Sequence, residues 1–307
     1  MQAIEATKLT YRYGKHVALD ELDLTVPNGA LYALLGPNGS GKTTLLQILM
    51  GLRPPMSGRV SLLGIDAHAL TVRDRSSIGY IAEGQSLPAW MRLEQLESYL
   101  APLYESWDPA LANDLRRRFG LDPRRKIGTL SRGEQMKAAV LCALAPRPKL
   151  LIMDEPFTGM DALVKDELVQ GLLESAGSEG WTILLASHDI GELELLADWV
   201  GFLAAGRMQL SEPMDVLKQR FKRVEVVAPE PPPLSALGNA IEVWSMERSA
   251  GRVGGLVSEA GPTSVEAVLR ARVPKATHID VRDASLREIF VALAKRAISG
   301  NQSEVAA

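Results

Sequence analysis

The hydrophobic pattern changes along this chain, and each change predicts a different kind of structure. Over residues 3–83, short apolar runs are separated by turn residues, which is typical of strands joined by tight connections. The runs 30–35 and 78–83 are predicted strands, and a helix is predicted to follow the first of them. Ser57–Gly58 is interpreted as a turn, and 60–64 as an edge strand. This segment therefore predicts the first half of an α/β core.

From about residue 87 to residue 145 the strand pattern disappears. Leucines recur there at helical spacing, at Leu93, Leu96, Leu100 and Leu103. Apolar strands return at 150–154 and 182–187, so the region is predicted to be a helical insertion in the α/β core. Two basic clusters, 116–118 and 124–126, lie within it. A solvated helix face is our preferred interpretation of these clusters, and a docking surface is the alternative.

A different unit is predicted for the last part of the chain. Residues 228–233 contain four prolines and predict a stiff connection. Strands are predicted around it, over 223–227, 241–246, 252–258 and 278–282. Helices are expected to begin at two capping boxes, near Thr263 and Ser285. We therefore predict a core domain over residues 1–220 and a small accessory α+β domain over 221–307, without recognisable chemistry.

Composition narrows the class of protein. With 46% hydrophobic and 23% charged residues in 307, the chain is an ordinary globular protein. A net charge of −3 argues against a generally basic nucleic-acid binder. One cysteine, Cys142, excludes an internal disulfide framework, and buried packing is its expected role. Because no apolar run reaches the roughly 18 residues of a membrane span, any membrane role is expected to involve a partner chain.

A glycine-rich segment between a predicted strand and a predicted helix carries the first candidate chemistry. It reads G-x-x-x-x-G-K-T, and its glycines let successive backbone N–H groups point at one anion. Lys42 can reach the β- and γ-phosphates, and the Thr43 hydroxyl suits Mg²⁺. An ordinary glycine turn is the alternative, which the full motif and its context disfavour. The segment predicts nucleoside triphosphate binding by Gly36, Pro37, Asn38, Gly39, Ser40, Gly41, Lys42, Thr43 and Thr44.

Two later strands end in residues suited to hydrolysis. Asp154 and Glu155 follow a wholly apolar run, where carboxylates are costly unless they bind a cation or handle a proton. Asp154 is the expected Mg²⁺ partner, and Glu155 is expected to polarise the attacking water. His188 ends the next apolar strand and is expected near the γ-phosphate. The remaining histidines receive no role: His16, His68 and His278.

The ordered set of phosphate loop, Leu130-Ser131-x-Gly133, strand acids, Asp161 and His188 resembles the ATP-binding cassette (ABC) ATPases over residues 1–220. Taken alone, Ser131 with Glu134 indicates only a capping box at a helix start. The resemblance implies a P-loop ATPase fold with a mixed, mainly parallel sheet and flanking helices. It also implies that Tyr13 stacks on adenine, that Asp161 is the D-loop aspartate and that His188 is the switch histidine. Ser131 and Gly133 would close on ATP held by the opposite subunit.

Three positions depart from the family pattern. Glu83 replaces the Q-loop glutamine; it could still bind Mg²⁺, and we prefer it over Gln85 as the occupant of that position. Arg132 and Glu134 stand where many cassettes have glycine and glutamine. Since Ser131 and Gly133 are intact, activity is expected to survive.

The function implied by the resemblance is that of an ATP-hydrolysing ABC transporter subunit. Two such subunits, identical or different, would sandwich two ATP molecules and drive a separate transmembrane permease at the cytoplasmic face of the membrane. Trp107-Asp108, Glu83 and the C-terminal 286–291 segment resemble exporter cassettes. A soluble ABC ATPase acting on ribosomes or nucleic acid is the alternative, disfavoured by the single cassette and the charge, so no nucleic-acid partner is expected. A non-enzymatic nucleotide sensor is disfavoured because the candidate catalytic residues are intact.

Overall fold

The computed structural model describes residues 2–194, 196–228, 241–249, 252–259 and 264–305. The chain divides into two compact units, Met1–Met208 and Gln209–Ala307. Most of the predicted stiff connection, 229–233, lies outside the described residues. The predicted domain boundary between residues 220 and 221 remains a prediction.

The first unit combines two sheets with helices, which confirms the predicted α/β fold. Its elements begin with β1 (Gln2–Tyr13), β2 (His16–Pro27), β3 (Leu31–Leu35), α1 (Lys42–Leu49), β4 (Ser57–Leu62), β5 (Ile65–Asp66), α2 (Val72–Arg75) and β6 (Ile78–Ile81). They continue with α3 (Leu93–Leu100), α4 (Pro109–Arg118), α5 (Arg132–Leu144), β7 (Leu150–Asp154), α6 (Ala162–Glu179), β8 (Thr182–Ser187), α7 (Ile190–Leu193) and β9 (Trp199–Ala204). Strand β10 (Arg207–Pro213) begins in this unit and extends past its last residue, Met208.

The larger sheet has the strand order β10-β9-β3-β8-β7-β6. Strands β6, β7, β8, β3 and β9 run parallel to one another. Every residue of β3, β7 and β8 is buried, which explains why these strands are apolar runs without alternation. The carboxyl ends of three adjacent strands therefore meet at one edge of the sheet.

The smaller sheet is antiparallel, with the order β2-β1-β4-β5. Here two predictions were wrong. Ser57 and Gly58 open β4 instead of forming a turn, and β5, not β4, lies at the edge. Gly58 has φ +92°, and a Cβ there would lie 2.5 Å from the Lys8 carbonyl oxygen, so the glycine allows close strand pairing.

The insertion is helical, as predicted, with α3, α4, α5 and two short 3₁₀ turns, 101–103 and 127–129. The basic cluster 116–118 ends α4, and its arginines pair with carboxylates such as Glu97 and Asp114. The second cluster, 124–126, lies in a loop, so the helix-face interpretation fits only the first.

The second unit is a four-stranded antiparallel sheet with helices. Its elements are α8 (Met214–Arg220), β11 (Phe221–Val227), β12 (Ile241–Ser249), β13 (Arg252–Glu259), α9 (Val265–Arg272), β14 (His278–Asp283) and α10 (Leu286–Val305), in the sheet order β12-β13-β11-β14. Ser285 and Glu288 form the predicted capping box at the start of α10. Ser264 caps α9, whereas Thr263 lies outside the described residues.

No helix in the described ranges has the length and apolar character needed to cross a membrane.

Candidate active site

A cavity of about 600 Å³ lies where the glycine-rich loop meets the ends of β6, β7 and β8. The β1–β2 hairpin and the residues that follow these three strands complete its wall. The lining residues are Tyr13, His16, Ala18, Asn38, Gly39, Ser40, Gly41, Lys42, Thr43, Thr44, Glu83, Glu155, Thr158 and His188. Residues predicted from five separate sequence segments thus share one cavity.

The glycine-rich loop has a shape that only glycine permits at two points. A Cβ on Gly36 would lie 2.3 Å from the Leu203 carbonyl oxygen and 2.6 Å from Ser40 Oγ. Gly41 has φ +108° and immediately precedes α1. The loop and the first N–H groups of α1 therefore form a cradle suited to phosphate.

Lys42 and Glu155 are charged groups that line the cavity and lie close to each other. Lys42 is buried; its Nζ donates to the Gly36 carbonyl at 2.7 Å and lies 3.5 Å from Glu155 Oε1. On the other side, Glu155 Oε2 lies 2.8 Å from His188 Nδ1. The carboxylate is thus held between an ammonium group and an imidazole.

Asp154, at the end of β7, is fully buried. Neither of its carboxylate oxygens makes a hydrogen bond within the described part of the chain. Burial raises the pKa of Asp154 to about 6; the charges of Glu83 and Glu155 add to this effect, while Thr43 and Lys42 oppose it. A buried carboxylate that lacks a partner and lies near a threonine hydroxyl fits a divalent cation bound to nucleotide.

Tyr13 stands at the outer end of the cavity, with 43% of its surface exposed. Its hydroxyl lies 3.3 Å from Thr44 Oγ1, and the Arg53 guanidinium lies 5.3 Å from the ring centroid. Tyr11 packs edge-on against the same ring at 5.0 Å. The ring is therefore held in place while part of it remains available to a ligand.

The two candidates for the Q-loop position face different spaces. Glu83 lines the 600 Å³ cavity, whereas Gln85 lines a separate cavity of about 340 Å³ beside α3 and α5. The Gln85 side chain accepts a hydrogen bond from Ala82 N at 3.1 Å. Cys142, half-buried, also lines the smaller cavity. The geometry favours Glu83 as the group that could reach a bound cation.

Ser131, Gly133 and Asp161 do not line the 600 Å³ cavity. Ser131 caps α5: its Oγ accepts from Glu134 N at 3.2 Å, and its own N–H donates to Glu134 Oε2 at 2.7 Å, as the capping box predicts. A Cβ on Gly133 would lie 2.4 Å from Val164 Cγ1. Asp161 accepts a hydrogen bond from Val164 N at 3.0 Å. These three residues thus lie at the N-terminal ends of α5 and α6.

Three residues that line the cavity were not predicted from the sequence: His16, Ala18 and Thr158. His16, for which the sequence predicts no role, pairs with Tyr13 across the β1–β2 hairpin and lines the cavity. The available signal was the short Gly14–Lys15 connection, which brings the two side chains together. Thr158 lies three residues after Glu155, and its hydroxyl is 3.4 Å from Glu155 Oε2.

Comparison with known proteins agrees with this geometry. A family profile described as ABC transporter matches residues 19–158. Over 216 residues the chain is 34% identical to the lantibiotic transport ATP-binding protein SrtF of Streptococcus pyogenes, covering 69% of this chain and 91% of that protein. It is 36% identical over 242 residues to the Fe(3+) ions import ATP-binding protein FbpC of Streptomyces coelicolor, covering 71% and 66%.

A solved structure of an ATP-binding subunit of an ABC transporter superposes with a TM-score of 0.64 at 27% identity, covering 71% of this chain and 92% of that one. Since the match to SrtF spans nearly all of that protein, the similarity is to a whole ATPase subunit. This chain belongs to the ATP-binding proteins of ABC transporters, a family that couples ATP hydrolysis to transport.

Proposed function

We propose that this chain hydrolyses ATP as one half of a head-to-tail dimer that closes on two ATP molecules and drives a separate transmembrane exporter. Convergence of Lys42, Glu155 and His188 on a single cavity is the observation that carries the proposal. Proteins of this family bind ATP, dimerise and act together with transmembrane subunits. The proposal adds the direction of transport, the roles of individual residues and the closure of the dimer on ATP.

Within one subunit, the loop 36–44 binds the triphosphate, and Tyr13 stacks on the adenine. Thr43, Asp154 and Glu83 would hold Mg²⁺, which when bound neutralises phosphate charge and orients the terminal phosphate. The unpartnered Asp154 carboxylate supports this assignment.

Hydrolysis is assigned to three side chains. Glu155 accepts a proton from the attacking water, because its carboxylate faces the cavity beside the phosphate cradle. His188 holds that carboxylate from one side, and its assigned role is to contact the terminal phosphate. Lys42 stabilises the charge that develops on the phosphate oxygens.

The dimer is proposed because each chain carries two partial sites. Ser131, Gly133 and Asp161 lie apart from the ATP cavity of their own subunit. In a head-to-tail pair, the N-terminus of α5 and the backbone beside Asp161 would face the ATP of the other subunit, and the start of a 13-residue helix suits an anion.

The permease is proposed to be a separate polypeptide, with this chain at the cytoplasmic face of the membrane. The exporter direction rests on the resemblance at Trp107–Asp108, Glu83 and 286–291. Some relatives that match this chain are named for import, and others are named for lantibiotic or multidrug transport. The proposed direction therefore stands on those three features alone.

The decisive experiment removes the proton-accepting group without changing its shape. Glu155→Gln is expected to reduce phosphate release roughly 10²- to 10⁴-fold, because the amide cannot take a proton from water. ATP-induced dimerisation, followed by analytical ultracentrifugation, is expected to persist. Glu5→Gln, at an exposed position of β1, is the matched control. Undiminished hydrolysis in Glu155→Gln would refute the catalytic assignment.

A further inference from the structure

The turn that begins α5 contains a negative charge in an unfavourable place. Glu134 lies three residues after Ser131, and its Oε2 accepts the Ser131 N–H at 2.7 Å. This is the turn proposed above to receive the ATP phosphates of the second subunit. The start of a helix favours this negative charge, and a glutamine could form the same capping box without it. Beside a triphosphate, however, the carboxylate is repulsive.

Arg125 forms an ion pair with Glu134 and compensates its negative charge. It comes from the loop before the second 3₁₀ turn, and its Nη1 donates to Glu134 Oε1 at 2.6 Å. Its Nη2 donates to the Thr129 carbonyl at 2.8 Å, which fixes the guanidinium. Ser131 and Arg125 thus use different oxygens of one carboxylate, so neutralisation does not disturb the cap.

We infer that Arg125 is a positioning residue that neutralises Glu134 and thereby lets the Ser131 turn approach ATP bound to the opposite subunit. The inference rests on the proposed head-to-tail dimer. Its substrate is the triphosphate of ATP, a polyanion, for which one uncompensated carboxylate at the point of approach is a large penalty. In a cassette with glutamine at this position, no such partner is required.

The alternative is that Arg125 only braces the loop through Thr129. The two possibilities separate in a double-mutant cycle that comprises Arg125→Gln, Glu134→Gln and the double variant. Arg125→Gln removes both the charge and the brace, whereas Arg125→Gln with Glu134→Gln removes the brace but restores local neutrality. Only charge compensation predicts that the second substitution rescues the first.

The experiment uses the full chain with Glu155→Gln as the turnover-blocked parent. The ATP concentration for half-maximal dimerisation is measured by analytical ultracentrifugation at low and at high ionic strength. At low salt, Arg125→Gln is expected to raise this concentration about tenfold, and high salt is expected to reduce the difference. The double variant is expected to return to within about twofold of the parent. Arg125→Lys, which keeps the charge, is expected to stay near the parent.

Arg124→Gln is the matched control, since the Arg124 side chain is exposed and forms no ion pair among the described residues. Thermal unfolding of each variant verifies folding. Parental behaviour of Arg125→Gln, or a double variant as weak as Arg125→Gln, would overturn the inference and leave the proposed function standing. A parent that does not dimerise with ATP would overturn both.

Discussion

At the scale of single residues, Asp154 has surroundings that do not favour the stability of the folded protein. Its carboxylate is fully buried, has no hydrogen bond within the described ranges and has a pKa raised to about 6 by burial. A raised pKa means that the folded protein binds a proton more readily than the unfolded chain does. Without a cation, this group therefore loses its stabilising contribution as the pH rises through about 6.

We expect Asp154→Asn to stabilise the metal-free protein. In EDTA at pH 7.5, the free energy of unfolding should rise by about 1–3 kcal/mol, because the amide carries no charge to desolvate. The difference should shrink towards pH 4, where the parental carboxyl is protonated. Calorimetry across this pH range measures both effects, and stabilisation by ATP with Mg²⁺ should be lost in the variant.

Asp166→Asn, at an exposed position of α6, provides the control for Asp154→Asn. A metal-free Asp154→Asn protein less stable than the parent, with stabilisation by ATP and Mg²⁺ retained, would contradict both the buried-charge argument and the cation assignment.

At the scale of elements, the strand ends explain why part of the site could be predicted. Glu155 and His188 lie 33 residues apart, yet their side chains meet at 2.8 Å because β7 and β8 are adjacent parallel strands. Buried parallel strands are apolar runs, so their ends are visible in sequence. His16 was missed because its proximity to the cavity depends on a hairpin whose strands are irregular, with several register shifts.

Ser57–Gly58 was predicted to be a turn but opens β4, and pairing with a strand distant in sequence is again the reason. Turn residues usually punctuate strands, but here a glycine with φ +92° lies within a strand and relieves a clash with its neighbour. That requirement comes from β1, which is distant in the chain. The local pattern of apolar and turn residues predicts where strands lie and where they end. Whether a glycine lies inside a strand, as Gly58 does, depends on pairing with a strand that is distant in the chain.

The start of α10 allows an independent prediction for the second unit. Glu288 accepts hydrogen bonds from Arg282 Nη2 at 2.6 Å and Ser285 N at 3.0 Å. These contacts, chiefly that with Arg282, lower the pKa of Glu288 to about 2. Because the pKa is lowered on folding, the stabilisation is present above the ordinary value of 4.5 and is lost as the pH falls towards 2.

Glu288→Gln keeps the shape of the cap and removes the charge. At pH 7 we expect a loss of about 1 kcal/mol in stability, since the ion pair is partly exposed to solvent. The loss should disappear between pH 4.5 and about 2. Amide hydrogen exchange in α10 measures it, with Glu266→Gln, which removes an exposed pair within α9, as the control. A difference that grows in acid would contradict the assignment.

At the scale of the whole molecule, membership of the family indicates a transmembrane partner subunit. We expect the tagged full chain, captured from detergent-solubilised membranes of its host, to co-purify with a polypeptide that contains membrane spans. Mass spectrometry identifies the partner, and an untagged culture is the control. Co-purification with ribosomes or nucleic acid instead of a membrane protein would favour the alternative function.

The backbone of Glu155 has a consequence for how this enzyme can change. Glu155 has φ +48°, a conformation that side chains other than glycine tolerate poorly, and its N–H is bonded to the Ala186 carbonyl at 2.9 Å. The backbone at this position thus favours glycine, whereas the role proposed for Glu155 in hydrolysis requires a carboxylate. Under the proposed role of Glu155, selection for stability alone would favour an inactive protein, so this position sets thermostability against turnover.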